Sequence, residues 1–169
     1  MSSPNDTFHS EKVRELMGNQ ELETKPNDEQ AISTYSIVSY PAKHLPDAYR
    51  NMIFSKWQRS LRFGNDYFKL IDSDAYFSAY QRLITLILNK PETVVKLAVL
   101  TEDQDVVFGF SVFRGNTLDY IHVHKDVRKQ GIATSLYPKD TDTITHLTTI
   151  GMAIWTAKIP TVLFNPFKE

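Results

Sequence analysis

The chain contains no cysteine. That absence excludes disulfides, thiolate metal sites and a cysteine nucleophile, so an acyl transfer would have to be direct or use another nucleophile. Long apolar runs are missing too, and no stretch reaches the length that spans a bilayer. The opening Met1-Ser2-Ser3-Pro4-Asn5-Asp6 lacks the basic and apolar regions of a signal peptide. The expected setting is therefore cytoplasmic, with no membrane partner. Glycine is scarce, six in all, and these six build neither a Gly-x-x-x-x-Gly-Lys-Ser/Thr phosphate loop nor the three-glycine dinucleotide fingerprint. No internal repeat or low-complexity tract is present.

What remains is one domain with a tail. At 169 residues and 41% hydrophobic content the chain can bury a real core. The net charge of -1 hides an asymmetry. Seven acidic side chains (Asp6, Glu11, Glu15, Glu21, Glu23, Asp28, Glu29) against three basic ones (Lys12, Arg14, Lys25) leave residues 1–32 at -4 and the rest at +3. A remainder so mildly basic does not demand a nucleic-acid partner. Residues 1–32, polar and broken by Pro4 and Pro26, read as a flexible acidic arm with a short helix over Phe8–Met17. Phe8, Val13 and Met17 would share one helical face, so the arm is either a plain tail or a segment that docks on a partner or a second copy. The domain proper is then 33–169.

Periodicity lays out the domain. Ser33–Tyr40 alternates as a strand. A helix follows from Asp47 to Phe63 with Tyr49, Ile53, Trp57 and Leu61 four apart, closed by Gly64-Asn65. A second helix starts near Asp72-Ser73 and reaches Asn89, with Tyr76, Phe77, Tyr80, Leu83, Ile84, Ile87 and Leu88 on one face. Pro91 ends it. Strands Val94–Leu100, Val106–Arg114 and Thr117–Val123 are joined by turns at Glu102–Asp105 and Gly115-Asn116. Pro138 cuts short the helix after Gly131. Thr143–Leu147 reads as a strand, Thr148–Lys158 as a Thr-capped helix and Thr161–Phe164 as a last strand.

One segment names a chemistry. Arg128-Lys129-Gln130-Gly131-Ile132-Ala133 follows the apolar strand Leu118–Val123 and opens a helix. No Cβ at 131 and a small side chain at 133 let backbone close around a ligand, with amides at a helix start where negative charge is favoured. That is a diphosphate cradle. The block resembles the acyl-CoA signature of the GNAT acetyltransferase superfamily, Arg/Gln-x-x-Gly-x-Gly/Ala after a strand ending in Val. The element order β-α-α-β-β-β-α-β-α-β over residues 33–165 is also that of the GNAT fold. The resemblance implies an α/β (α+β) fold with a mixed, mostly antiparallel sheet of about six strands flanked by helices. It further implies an N-acetyltransferase that takes acetyl-CoA (or CoA) and an amine acceptor of unknown kind: protein, small molecule or nucleobase.

Family roles fall on named positions. The strand before the cradle would splay from the next one, leaving the backbone of Ile121, His122 and Val123 to pair with the pantetheine arm. Arg128 and Lys129 would add charge beside the phosphates, and the amides from Gln130 through Gly131, Ile132 and Ala133 to Thr134 would donate. Transfer needs a proton acceptor for the amine and a donor for the thiolate. Asp119, counted by twos onto the face of Ile121 and Val123, stands near where the family often carries Glu and is the first expected base. His122 is the second, on its ordinary pKa near 6.5, provided that a bulge turns it toward substrate. The family's donor is commonly a Tyr in the late helix, where this chain has none; Tyr137 lies on the wrong element, and His146 is the expected replacement. His124 is followed by Lys125 where the family often has Pro.

Three further readings complete the set. His122 and His124 have metal-ligand spacing but no third ligand, and no metal is expected. Lys56, Arg59 and Arg62 form a basic ridge on the first helix, either solvated or placed to contact nucleic-acid phosphates or an acidic protein; the acidic arm, of this copy or a neighbouring one, is a further candidate to cover it. A narrower likeness to small GNAT-like proteins of tailed bacteriophages would place the protein in the host cytoplasm or the virion. It also leaves open a second class of function, a GNAT-fold binding or structural module without transfer chemistry, or a phage enzyme modifying DNA or host protein.

Overall fold

Six strands hydrogen-bond in chain order. In the computed structural model, which describes residues 34–168, they are β1 (Tyr35–Pro41), β2 (Thr93–Leu100), β3 (Val107–Arg114), β4 (Thr117–Val123), β5 (Thr143–Ile144) and β6 (Leu163–Phe164). The acidic arm expected over 1–32, with its Phe8–Met17 helix, lies outside the described residues. The first four strands are antiparallel neighbours, whereas β5 runs parallel to β4 and β6 parallel to β5. Parallel neighbours need a crossover, and here helices supply it. The result is the mixed, mostly antiparallel α/β sheet flanked by helices that the resemblance implies.

The helices form where their apolar spacing places them. Helix α1 (Asp47–Phe63) buries Ile53, Trp57 and Leu61, the expected four-residue stripe. Two turns were not expected: a 3-10 turn at Ala42–His44 and the one-turn helix α2 (Asp66–Lys69), whose Asn65 side chain accepts from the amides of Tyr67 and Phe68. Helix α3 (Ser73–Asn89) starts on Asp72, which accepts from the Ala75 amide, and buries Tyr76, Ile84, Ile87 and Leu88. Together α1 and α3 cover one face of the sheet through Val95, Leu97, Val99, Phe110, Val112 and Tyr120. On Ala98 pack Ile132 and Leu136 of α4 (Ile132–Leu136). Thr148 caps α5 (Thr149–Lys158) as expected, and Trp155 and Ile159 close a third cluster around Leu118, Ile144, Leu147 and Val162. Among the described residues no helix is long and apolar enough to cross a membrane.

Two expectations at the C-terminal end change. The strand expected over Thr143–Leu147 stops at Ile144, because Thr145, His146 and Leu147 spend their polar and apolar groups on β4 and the core instead of on a ladder. The last strand, expected over Thr161–Phe164, is confined to Leu163–Phe164, and it joins β5 in parallel after α5.

Gly109 lets β4 lie close. It pairs with Val123, and a Cβ there would come within 2.6 Å of the His122 carbonyl oxygen and 3.2 Å of the Val123 Cα. Both contacts are backbone, so neither can step aside. We expect Gly109→Ala to lower unfolding free energy by about 1–3 kcal/mol in urea denaturation, the usual range for overpacking. An unchanged midpoint would show that β3 and β4 tolerate separation at the site described next.

Candidate functional site

The site grows from a single irregularity in β4. Val112 stands opposite Tyr120 while Phe113 stands opposite Leu118, so Asp119 is an extra residue, a β-bulge. Before the bulge β5 keeps to β4, pairing Thr117 with Thr143 and Leu118 with Ile144, and the Thr145 amide donates to Leu118 O at 3.1 Å. Beyond it the two strands part. The His124 amide donates to Phe108 O at 2.8 Å on β3. By the alternation of an antiparallel ladder, Ile121 and Val123 then turn their main-chain groups to the side β5 has left. Arg128 reaches that edge, its Nε donating to Val123 O at 3.2 Å.

The cradle lies directly downstream. Lys129 and Gly131 both take left-handed backbone, φ 66° and 80°, and Gly131 caps α4 without a side-chain hydrogen bond. For Lys that conformation costs about 1–2 kcal/mol, so the loop is held against local preference. The Ser135 amide is the first to reach back, to Gly131 O at 3.1 Å. The amides of Ile132, Ala133 and Thr134 therefore precede any intrahelical acceptor. Ile132 and Leu136 are buried, Ala133 and Thr134 exposed, so the helix shows its small polar side outward. A Cβ placed on Gly131 would meet nothing within 4 Å, which leaves room against the backbone, and Gln130 Oε1 is a buried acceptor without a partner. Free amides, open space at the glycine and the Arg128 and Lys129 charges fit a diphosphate.

Asp119 does not take the expected place. The bulge breaks the count by twos, so its carboxylate leaves the face of Ile121 and Val123 and is fully buried against Arg114. Arg114 Nε donates to Oδ2 at 2.7 Å and Nη2 to Oδ1 at 2.8 Å, and Thr145 Oγ1 donates to Oδ1 at 3.1 Å. Both oxygens are engaged. Taking a proton there would break a bidentate buried pair, so the geometry suits Asp119 to holding other groups.

One held group is His146. Its Nδ1 lies 2.8 Å from Thr145 Oγ1 and 3.1 Å from Asp119 O. A carbonyl only accepts, which assigns the proton to Nδ1 and the lone pair to Nε2. The ring stands edge-on to Trp57 and Tyr80, at 5.5 and 5.8 Å between centroids. Burial, opposed by the Asp119 charge, pushes its pKa down to about 4. The imidazole is thus neutral near pH 7 and holds no spare proton, contrary to the donor role expected of it. His122 is half-buried, tilted on Phe110 at 5.7 Å. Burial first, then the positive charges of Arg128, Lys56 and His124, push it too down to about 4. Tyr137 stays on the wrong element as expected, at the end of α4, its hydroxyl buried without a partner.

Sequence reasoning missed several partners. Tyr120 OH meets Ser60 Oγ at 2.7 Å and stacks on Trp57, and burial pushes its pKa to about 12. Arg114 and Thr145 were not singled out; an Arg and an Asp flanking the two-residue Gly115-Asn116 turn was a signal for the first, and nothing marked the second. The Lys56-Arg59-Arg62 ridge is corrected at its end. Arg62 is buried, donates to Phe68 O and Ile71 O, and lies 5.1 Å over the Tyr76 ring, so it is neither solvated nor placed for phosphate. A groove of about 630 Å³ lined by Asn51, Phe54, Arg59, Phe77 and Gln81 lies between α1 and α3 and includes none of the cradle residues. Among the described residues no group of three His, Asp or Glu is placed to hold a metal ion.

Solved structures with a related shape are acetyltransferases in several cases. A ribosomal-protein-alanine N-acetyltransferase from Brucella melitensis biovar Abortus 2308 is 16% identical with a TM-score of 0.36, the match covering 61% of this chain and 66% of that one. AAC(6')-Iy, solved with the bisubstrate analog CoA-S-monomethyl-acetylneamine, is 14% identical with a TM-score of 0.40 over 81% of this chain and 95% of that one. The apo-form of YjaB from Escherichia coli is 20% identical with a TM-score of 0.40, covering 61% of each chain. No family model matches the chain, and no curated protein matches it significantly.

Two neutral histidines, His146 buried and His122 half-buried, give stability a pH dependence. Their folded pKa values lie below the ordinary 6.5, so the unfolded chain takes up protons between about 6.5 and about 4 that the folded chain refuses. Stability should then fall on acidification through that window, by up to about 1.4 kcal/mol per pH unit for each histidine. Urea denaturation at pH 7 and pH 5 measures it. His146→Gln should flatten the dependence, and equal slopes in both proteins would remove His146 as its source.

Proposed function

We propose that the chain is an acyl-CoA-dependent N-acyltransferase of the GNAT superfamily. One observation carries this reading: β4 and β5 part at the bulge, and the β4 edge beyond it runs to Val123, whose carbonyl accepts from Arg128 in the loop that carries the left-handed Gly131 and the helix-start amides. An open strand edge and an anion cradle side by side suit a ligand that joins a chain of amides to a diphosphate. The amides of Ile132, Ala133 and Thr134 with Arg128 and Lys129 would hold the diphosphate, and the backbone of Ile121 and Val123 the pantetheine. Acetyl-CoA supplies an acetyl group activated as a thioester, so transfer forms one N–C bond, breaks one C–S bond and asks only for one proton to leave the amine and one to reach the sulfur.

His122 is the proton acceptor in this reading. It lies on β4 past the bulge, is neutral at neutral pH and is only half-buried. A bulge at Asp119 precedes His122 on the same strand, which supports this reading. Asp119 and Thr145 hold His146 and the parting of the strands; they are positioning residues.

A second reading, a GNAT-fold binding module without transfer, has its own observation. Helix α5 carries no Tyr to protonate the leaving sulfur, and Arg128 occupies Val123 O. The two readings diverge on turnover and agree on binding.

Acetyl-CoA at a hundredfold excess over Kd should stabilise the protein by about 2.7 kcal/mol, read as a rise in melting temperature. Gly131→Val, which fills the open space at the cradle, should abolish the rise. No rise in the unaltered protein at millimolar acetyl-CoA would overturn both readings. If transfer occurs, His122→Gln should keep the thermal shift and slow acetylation by about 10²–10⁴-fold, the usual worth of a positioned base. Equal rates would remove His122 from the reaction.

A further inference from the structure

Apart from two threonines and a terminal lysine α5 is apolar on every side, yet none of its residues is buried. A helix of that composition is ordinarily enclosed. On its own chain α5 uses a single side: Trp155 Nε1 donates to Val162 O at 2.7 Å and the ring lies 6.1 Å from Phe164, with Ile159 just beyond the helix. Turned away from Trp155 are Ile150, Ala153, Ile154 and Ala157, all exposed, Ile150 at 56% and Ile154 at 49%. Their i, i+3, i+4, i+7 spacing is the stripe by which one helix packs on another element.

The exposed surface continues past the helix start. The Thr149 amide donates to Gly64 O at 2.7 Å and Asn65 Nδ2 to Leu147 O at 3.3 Å, which fixes the end of α1 and the α2 turn beside the α5 cap. There Phe63, Tyr67 and Leu70 are 59%, 69% and 85% exposed. With Ile150, Met152 and Ile154 they make six of the eleven large apolar residues exposed among those described. Taking about 150–250 Å² for a whole aromatic side chain and somewhat less for an aliphatic one, these fractions leave on the order of 600 Å² open. A monomer's largest apolar patch is about 300–600 Å², so this one stands at the top of that range. With the alanines and threonines of α5 added, it approaches the roughly 800 Å² per partner that a stable dimer buries. A lipid surface fits less well, since an interfacial helix sets a Lys/Arg face against its apolar one, and α5 carries Lys158 alone.

We propose that this face is covered by a second copy of the chain, with α5 packed antiparallel on α5 of the partner subunit about a two-fold axis. A two-fold contact is self-complementary: where residue i meets j, j meets i. With the axis between Ala153 and Ile154, Ala153 meets Ile154 of the partner subunit, and Ile150 meets Ala157 of the partner subunit. A large side chain faces a small one at each position, so the two helices interdigitate where a row of equal residues would hold them apart. The stretch Thr149–Ala157 carries no charge, as the centre of an interface requires. The pairing does not depend on the acyltransferase reading.

Sedimentation velocity of the full chain at micromolar to submillimolar concentration reads the association. We expect a species with the mass of two chains. Ala153→Arg, at an exposed position, brings two like charges together across the axis and should raise the dissociation constant about a hundredfold or more while the circular dichroism spectrum is unchanged. Leu86→Arg, at an exposed apolar residue of α3, should leave the dimer intact. Because the chain has no cysteine, a single Ala153→Cys can be joined by a short bismaleimide; it should give linked dimers, and Leu86→Cys should not. A monomer at every concentration, a dimer that survives Ala153→Arg, or equal linking of the two cysteine variants would overturn the proposal. So would a monomer that floats with phosphatidylserine–phosphatidylcholine vesicles, which would assign the face to lipid. Should Ala153→Arg lose its fold, the linking of the two cysteine variants decides.

Discussion

The buried pair between Arg114 and Asp119 is the constraint on which the rest of the site depends. A bulge leaves one residue without a partner in the ladder, and an acid in that place needs an opposite charge once water is excluded. Arg114, at the other end of the Gly115-Asn116 hairpin, supplies it bidentately. Removing one partner of such a pair typically costs about 3–5 kcal/mol, because the other is left charged and buried. The pair therefore fixes the bulge in place. The bulge in turn decides which residues of β4 face α1 and where β5 leaves.

From there the chain of causes reaches the cradle. Thr145 and His146 bond to the Asp119 carboxylate and carbonyl, so β5 ends after Ile144 and the chain turns into the α5 cap instead of following β4. The edge of β4 beyond Asp119 is left without a strand. Arg128 and the left-handed Lys129 and Gly131 then bring the start of α4 beside that edge. Each element is weak by itself: a two-residue strand, a five-residue helix, a strained loop. Their joint geometry comes from the buried pair and from the large core that α1 and α3 build on the opposite face.

Much of this was legible in the sequence where a single period dominates. The stripe Ile53-Trp57-Leu61, the Asp72 and Thr148 caps and the Gly115-Asn116 turn are local signals, and the structure realises them at those residues. The glycine that opens α4 was legible for the same reason, since a left-handed backbone is a property of one residue. Asp119 was not, because counting by twos assumes an unbroken strand, and a bulge shifts every face beyond it by one. Burial hid the rest. His146 and Arg62 read as polar surface or proton donors from their types alone, while the folded environment makes one a buried neutral imidazole and the other a packed side chain hydrogen-bonded to backbone.

The late helix without tyrosine is the feature that most separates the two functional readings, and its weight depends on the chemistry of sulfur. An amine nucleophile must lose a proton in or after bond formation, and on the proposed reading the neutral His122 is the group to receive it. A thiol, by contrast, has an ordinary pKa of about 8.5, some units below that of a departing amine, so a thiolate leaves without prior protonation and water can restore its proton afterwards. The step that needs a placed group is the one for which this site has candidates. A missing donor then costs rate at the leaving group and does not by itself abolish transfer.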